Sequence, residues 1–443
     1  MDRRWLVCLL STLLACSDDP AAPEGNNGDP EPLEVPEEVG PWLAANSSSF
    51  DGSHLSLPQT DLAFLADMVG DARIVALGEN THGTRDFFEM KARILRLLVE
   101  EHGFTDFAIE ATWPEANRLD RYVRTGEGDP AVLLSGLYFW TWNTQSVLEM
   151  IEWIRSYNEA GGDVGFYGFD MQYPGMALRD VETFISEVDP DRADEVGAQL
   201  ACLGAYANGP DGQFPSTLYS DLSDEGRSAC AEDLEAVRVL MVDNAAAYEA
   251  ASTPDSYALA LQSLRVATQY HLSVTEEQSR DQSMAENTVW LSDQGGPARK
   301  WVLWAHNFHV SDTPGAQGSW MRDAFGDDMV IFGFTHAAGQ FTAVPGPGTH
   351  TLGAPNLLSY EWHLDAASAP RFMLDLRTVD TSAPGAEWLA TSRQTRFIGC
   401  CYDPSRPADS WWAIDLRSAF DVMIHYASTG PTTVLPFQYP SEF

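Results

Sequence analysis

The sequence predicts an α/β fold: a mostly parallel central sheet flanked by helices and interrupted by a long helical insertion. Three observations carry this expectation. Short β-rich apolar runs recur along the chain, and strand-like and helix-like segments alternate early in it. Residues 176–295, in contrast, keep helical spacing with almost no β signal. At 443 residues the chain can bury a large core.

The elements follow in order. Arg3 and Arg4 precede an apolar run from Trp5 to Ala15, too short to span a bilayer. The run ends Leu13-Leu14-Ala15-Cys16, which resembles the bacterial lipobox, so residues 1–15 are expected to be a signal peptide and Cys16 a lipidated N-terminus. The expected location is the bacterial cell envelope, with the membrane as partner through the lipid on Cys16. Residues 16–40 are rich in acids and prolines and hold no base, a composition that suits an extended tether rather than a core. Residues 41–443 are expected to form the α/β domain.

Within it, residues 73–77 read as a strand closed by Gly78. From Thr84 onward, Phe87, Phe88, Ile94, Leu95, Leu97 and Leu98 fall at helical spacing, and Gly103 supplies a stop. Residues 107–109 read as a second strand, so this stretch is a βαβ unit whose strands run parallel. A helix over 145–158 leads to a third strand over 164–170. Beyond the helical insertion, "WVLWAHNFH", "MVIFGFTHAAG", "RFMLDLR" and "FDVMIHYAS" are further strand-type runs. Cys202 and Cys230 are expected to pair inside the insertion in an oxidising compartment. Cys400 and Cys401 are adjacent, where a bridge is strained. No Cys-x-x-Cys pattern exists, which disfavours structural zinc.

Ligands of open parallel sheets bind beyond the carboxyl ends of the strands. Glu79 and His82 follow the first strand, Glu110 ends the second, and Asp170 ends the third. His306 and His309 follow "WVLWA", and His336 follows "IFGFT". These groups are expected at one cleft, with the helical insertion as its lid or wall. The chain lacks Gly-x-Ser-x-Gly, Ser-x-x-Lys and His-Glu-x-x-His. A histidine flanked by carboxylates suits general-base activation of water, the carboxylate fixing the tautomer. The same donors, Glu79, His82, Glu110, His306 and His309, could instead hold a divalent metal, so a metal stays open beside a cofactor-free reaction. His306, His309, Lys91, Arg280 and Asp170 are expected to bind the substrate or its oxyanion, though Glu79 and Glu110 could be structural partners of Arg85 or Lys91, and Asp170 and Arg280 partners of an ion pair. A binding lipoprotein without turnover is a third reading. Nucleic acid is disfavoured as a partner, since 26 basic against 65 acidic residues give a net charge of −39.

The stretches "LGENTHGTRDFFEMKARILRLLVEEHGFTDFAIEATWPEANRLDRYV", "WTWNTQSVLEMIEWIRSYN", "VGFYGFDMQ", "RDQSMAEN" and "WAHNFHV", in that order, resemble the erythromycin esterase family. The resemblance implies hydrolysis of a carboxylic ester without a nucleophilic serine. Members open the macrolactone ring of macrolides, which gives antibiotic resistance. It further implies His82 as general base, Glu79 and Glu110 as its acidic companions, and His306 and His309 as a second histidine pair. Lys91 falls where some macrolide-active members carry arginine, and lysine is less able to clamp a substrate bidentately. The implied ligand is a small-molecule ester, a lactone or macrolide-like compound.

Overall fold

The computed structural model describes residues 34–209, 216–344 and 348–438. The expected signal peptide, Cys16 and most of the expected tether lie outside them. Among the described residues, no helix is long and apolar enough to cross a membrane.

The strands in chain order are β1 (Ser48–Ser49), β2 (Ile74–Leu77), β3 (Asp106–Thr112), β4 (Gly165–Asp170), β5 (Trp301–Trp304) and β6 (Met329–Ala343). They continue with β7 (Gly348–Thr351), β8 (Arg371–Asp375), β9 (Arg393–Arg396), β10 (Trp411–Ile414) and β11 (Val422–Thr429). The chain divides into two compact units. One holds the residues up to Leu97, Ala305–Thr313 and Asp328–Val434; the other holds Leu98–Trp304, Pro314–Asp327 and the residues from Leu435.

In the first unit β6 is the central strand. It runs parallel to β2, with Ile74 opposite Met329, and parallel to β11, with Val422 opposite Phe332. β8 lies antiparallel on β11, β1 on β8, and β7 on the end of β6. β2 is the apolar run Ile-Val-Ala-Leu with all four residues buried, the pattern of a parallel strand covered on both faces. Phe87 of the helix Arg85–His102 packs on the neighbouring strands β6 and β11, meeting Phe334 and Tyr426 edge to face at 5.5 and 5.6 Å. β9 and β10 form a separate antiparallel pair.

In the second unit β3 lies between β5 and β4, parallel to both. Phe107 packs on Phe166 and Trp304, and Trp142 closes on Trp304 at 5.9 Å. Between β4 and β5 every described element is helical, as the spacing of residues 176–295 predicts. Ser223, Thr253 and Ser279 cap three of these helices by accepting from Gly226, Ser256 and Gln282 amides. Cys202 and Cys230 form the expected disulfide, with Cα atoms 5.4 Å apart, tying the helix Ala193–Gly204 to Asp224–Asp243.

Two expectations need correction. His336 does not follow a strand: β6 continues through it to Ala343, and the ring is buried against Thr429 Oγ1 at 2.7 Å. The apolar run in the sequence stops short of Ala343, but β11 and β7 go on supplying backbone partners past that point. Glu110 likewise lies inside β3 rather than at its end, at a register shift between Ile109 and Thr112. Such bulges turn a side chain out of the normal alternation.

Candidate active site

The site in the first unit begins where β2 stops. Gly78 and Gly83 bracket a turn pressed onto neighbouring chain. A methyl at Gly78 would stand 2.2 Å from Asn307 Oδ1, and one at Gly83 only 1.8 Å from the Thr342 carbonyl oxygen. Neither position has room for a side chain. Thr81 Oγ1 accepts from the Gly83 amide at 3.0 Å, and the His82 amide donates to the Gly399 carbonyl at 3.2 Å. The turn therefore has a fixed course, and it fixes Glu79 and His82.

His82 Nδ1 meets Glu79 Oε1 at 2.8 Å. The other carboxylate oxygen forms an ion pair with Lys91, which reaches it from the helix Arg85–His102. Both partners of that pair are fully buried, and the ammonium also lies 5.6 Å from the centre of the Phe334 ring. Placing the Nδ1 proton toward Glu79 leaves the imidazole lone pair on Nε2. This is the arrangement a general base needs: one nitrogen held, the other basic.

Asn307 locks the second histidine segment to the same turn. Its amide donates to the Glu79 carbonyl at 2.7 Å, its Nδ2 to the Phe334 carbonyl at 2.7 Å, and its Oδ1 accepts from the Phe334 amide at 3.0 Å. The cap of the short helix Asn307–Val310 is His306, whose Nδ1 accepts from the Phe308 amide at 3.2 Å. An accepting Nδ1 puts the proton of neutral His306 on Nε2, so this ring is a donor where His82 is an acceptor. The two rings are 5.2 Å apart. His309 stands edge-on to His306 at 6.3 Å and is more exposed.

The second unit gathers the other predicted residues. Arg280 begins the helix Arg280–Gly295 and points its guanidinium at two carboxylates. Nη2 lies 2.7 Å from Glu110 Oε1 and 2.8 Å from Asp170 Oδ2, and Nε lies 3.1 Å from Asp170 Oδ1. Burial alone would favour loss of its proton, but Asp170 and then Glu110 outweigh burial and raise its pKa above the ordinary arginine value. Gln172 and the Met171 amide also bind Asp170, at 2.7 and 2.8 Å. Trp142 Nε1 holds the Glu110 carbonyl at 2.8 Å.

Thus Glu79, His82, Lys91, His306 and His309 come together in one unit, and Glu110, Asp170 and Arg280 in the other. Glu79 has Lys91 as its ionic partner; Arg85 turns to Asp86 and Glu89 instead. Among the described residues, no three of His, Cys, Asp and Glu converge in a metal-holding group. The carboxylate oxygens of Glu79 are engaged by an imidazole and an ammonium. Burial favours the neutral form of three further histidines, lowering His425 to about 3, His363 to about 4, and His336 well below the ordinary range. Sequence reasoning does not single out Asn307 as a lock, nor Phe397 and Gly399 as neighbours of the two histidines. Asn307 is visible inside "WAHNFH"; nothing in the sequence joins residues 397–399 to His82.

Similarity to known proteins agrees with this architecture. The family model for erythromycin esterase matches residues 99–429. YbfO of Bacillus subtilis (strain 168), named as a hydrolase, is 24% identical over 289 residues, 61% of this chain and 63% of its own length. That match spans less than two thirds of the relative. Erythromycin esterase type II of Escherichia coli is 22% identical over 332 residues, covering 68% of this chain and 78% of its own. A crystal structure of a Bacillus cereus protein superposes with a TM-score of 0.79 at 25% identity, over 91% of this chain and 100% of that one. The chain belongs to the erythromycin esterase family.

Proposed function

We propose that this protein hydrolyses carboxylic esters, with lactones or macrolide-like esters as the substrate class, and that His82 activates the attacking water without a serine nucleophile. The observation that carries this reading is the 2.8 Å contact between His82 Nδ1 and a Glu79 carboxylate clamped on its other side by Lys91. Membership of an esterase family and the names of its relatives support hydrolysis at the coarser level.

In the proposed reaction His82 Nε2 takes a proton from water while the oxygen bonds to the acyl carbon. The carbonyl electrons move to its oxygen, and His306 Nε2–H stabilises that oxyanion. Collapse breaks the bond to the alkoxy oxygen, which takes back the proton held by His82. A lactone would thereby open to one chain bearing a carboxyl and a hydroxyl group. His309 enters the proposal as a binding group beside His306, while Glu110, Asp170 and Arg280 bind one another in the second unit. Lys91 acts through Glu79.

The test is His82→Asn in the full chain. A positioned imidazole adds ~10²–10⁴-fold, so kcat should fall by at least that lower factor with KM little changed. Hydrolysis at the parent rate by a folded variant would end the proposal. Activity abolished by a chelator and restored by a divalent metal would instead favour the metal-dependent reading.

A further inference from the structure

A cavity of about 520 Å³ opens within the first unit, lined by Val344, Phe397, Ile398, Cys401, Tyr402 and Ser410, with Arg406 and Asp409 at its rim. Its floor is apolar and buried: Val344, Phe397 and Ile398 expose less than a tenth of their surface. Its rim is charged, with Arg406 and Asp409 paired at 2.5 Å. That size and this division into apolar floor and polar rim are those of a small-molecule pocket.

The cavity shares its wall with the histidine site. Phe397 presents its ring edge-on to His306 at 5.5 Å. The Ile398 amide donates to the Asn80 carbonyl at 2.8 Å, and the Gly399 carbonyl accepts from the His82 amide at 3.2 Å. Three consecutive residues thus touch His306, the turn before His82, and His82 itself. The opposite side is framed by backbone bonds from Val344 to Cys400 and from Tyr402 to Val344, at 3.0 and 3.1 Å. The Phe397 amide donates to the Ser410 carbonyl at 2.7 Å and closes the floor.

We propose that this cavity is the acyl pocket of the enzyme, taking the apolar acyl portion of the ester whose carbonyl lies at His82 and His306. The proposal rests on the hydrolase reading above. It adds the class of acyl group: an aliphatic chain or hydrocarbon ring face of medium length, with polar substituents left at the Arg406–Asp409 rim. Burial of each methylene against Val344, Phe397 and Ile398 would favour longer acyl groups over acetyl.

The test uses the full chain with p-nitrophenyl esters from acetate to decanoate, and a separate binding measurement. Val344→Phe fills the floor, and Tyr402→Ala widens the wall. The ratio of kcat/KM for decanoate over acetate should fall at least tenfold in Val344→Phe and rise in Tyr402→Ala. Opposite shifts in two variants exclude a general loss of folding. Decanoic acid, titrated calorimetrically into His82→Asn protein, should bind at least tenfold more weakly when Val344→Phe is added. Hydrolysis with an unchanged chain-length ratio in both variants, and unchanged decanoate binding, overturns the pocket and leaves the hydrolase reading standing. Decanoate binding that Val344→Phe weakens, in a protein that cleaves no ester, supports the pocket and removes the hydrolase reading.

Discussion

At the scale of single residues, burial decides what a charged group does. Lys91 and Glu79 are both shut away from water, and such a pair is costly to break on one side only. Lys91→Met should therefore destabilise by about 3–5 kcal/mol in denaturant unfolding. It should also lower kcat, because Glu79 would lose the cation that helps hold it against His82. A variant of parent stability would show that the ammonium contributes nothing to the site. Glu115 is the opposite case. Neither of its oxygens accepts a hydrogen bond among the described residues, and burial raises its pKa to about 8, against its own backbone amide and Arg118. Its folded pKa lies above the unfolded one, so folding takes up a proton. The stability this gives is complete below pH 4.5 and is lost as pH rises to about 8. Glu115→Gln should accordingly gain on the parent as pH climbs through that window, by up to about 1.4 kcal/mol for each pH unit climbed. Parallel melting-temperature curves for the two proteins across this range would contradict the assignment.

At the scale of elements, the disulfide joins two helices of the insertion across a sequence separation of 28 residues. Replacing Cys202 and Cys230 by serine should cost about 3–4 kcal/mol in the chain-entropy description, read from unfolding under non-reducing conditions. Equal stability of parent and double variant would show that the bond is not formed in solution. The same scale shows what can be read in advance. β2 is legible because a strand buried on both faces is apolar throughout and Gly78 stops it. The helix Arg85–His102 is legible from its spacing alone. β1 is two serines, and β9 is Arg-Gln-Thr-Arg; both exist because a partner strand holds them, which no local pattern records. β6 outruns its apolar run for the same reason.

Across the whole molecule, Glu79, His82, His306 and His309 are legible as residue types after strands, but their partners are not. Spacing places Glu79 beside His82, three residues on. It cannot choose Lys91 over Arg85 for Glu79, nor join Arg280 to Asp170 and Glu110, because those choices are made by packing between elements remote in sequence. The family resemblance implies roles for them, and the fold supplies the distances within each unit.

The bond from His82 to Gly399 has a consequence for how the protein comes into being. A nascent chain emerges from its N-terminus and folds in that order where it can. His82 appears early, yet its backbone amide waits for a carbonyl supplied near the other end, and Asn307 must arrive between them. The histidine turn is therefore assembled late, and partly synthesised protein carries the imidazole without its surroundings. Chains ending before Phe397 should be inert toward esters even when their N-terminal segments are compact, and adding residues 397–434 as a separate peptide should restore part of the activity. Hydrolysis by the shortened chain at the parent rate would show that the turn holds its course unaided.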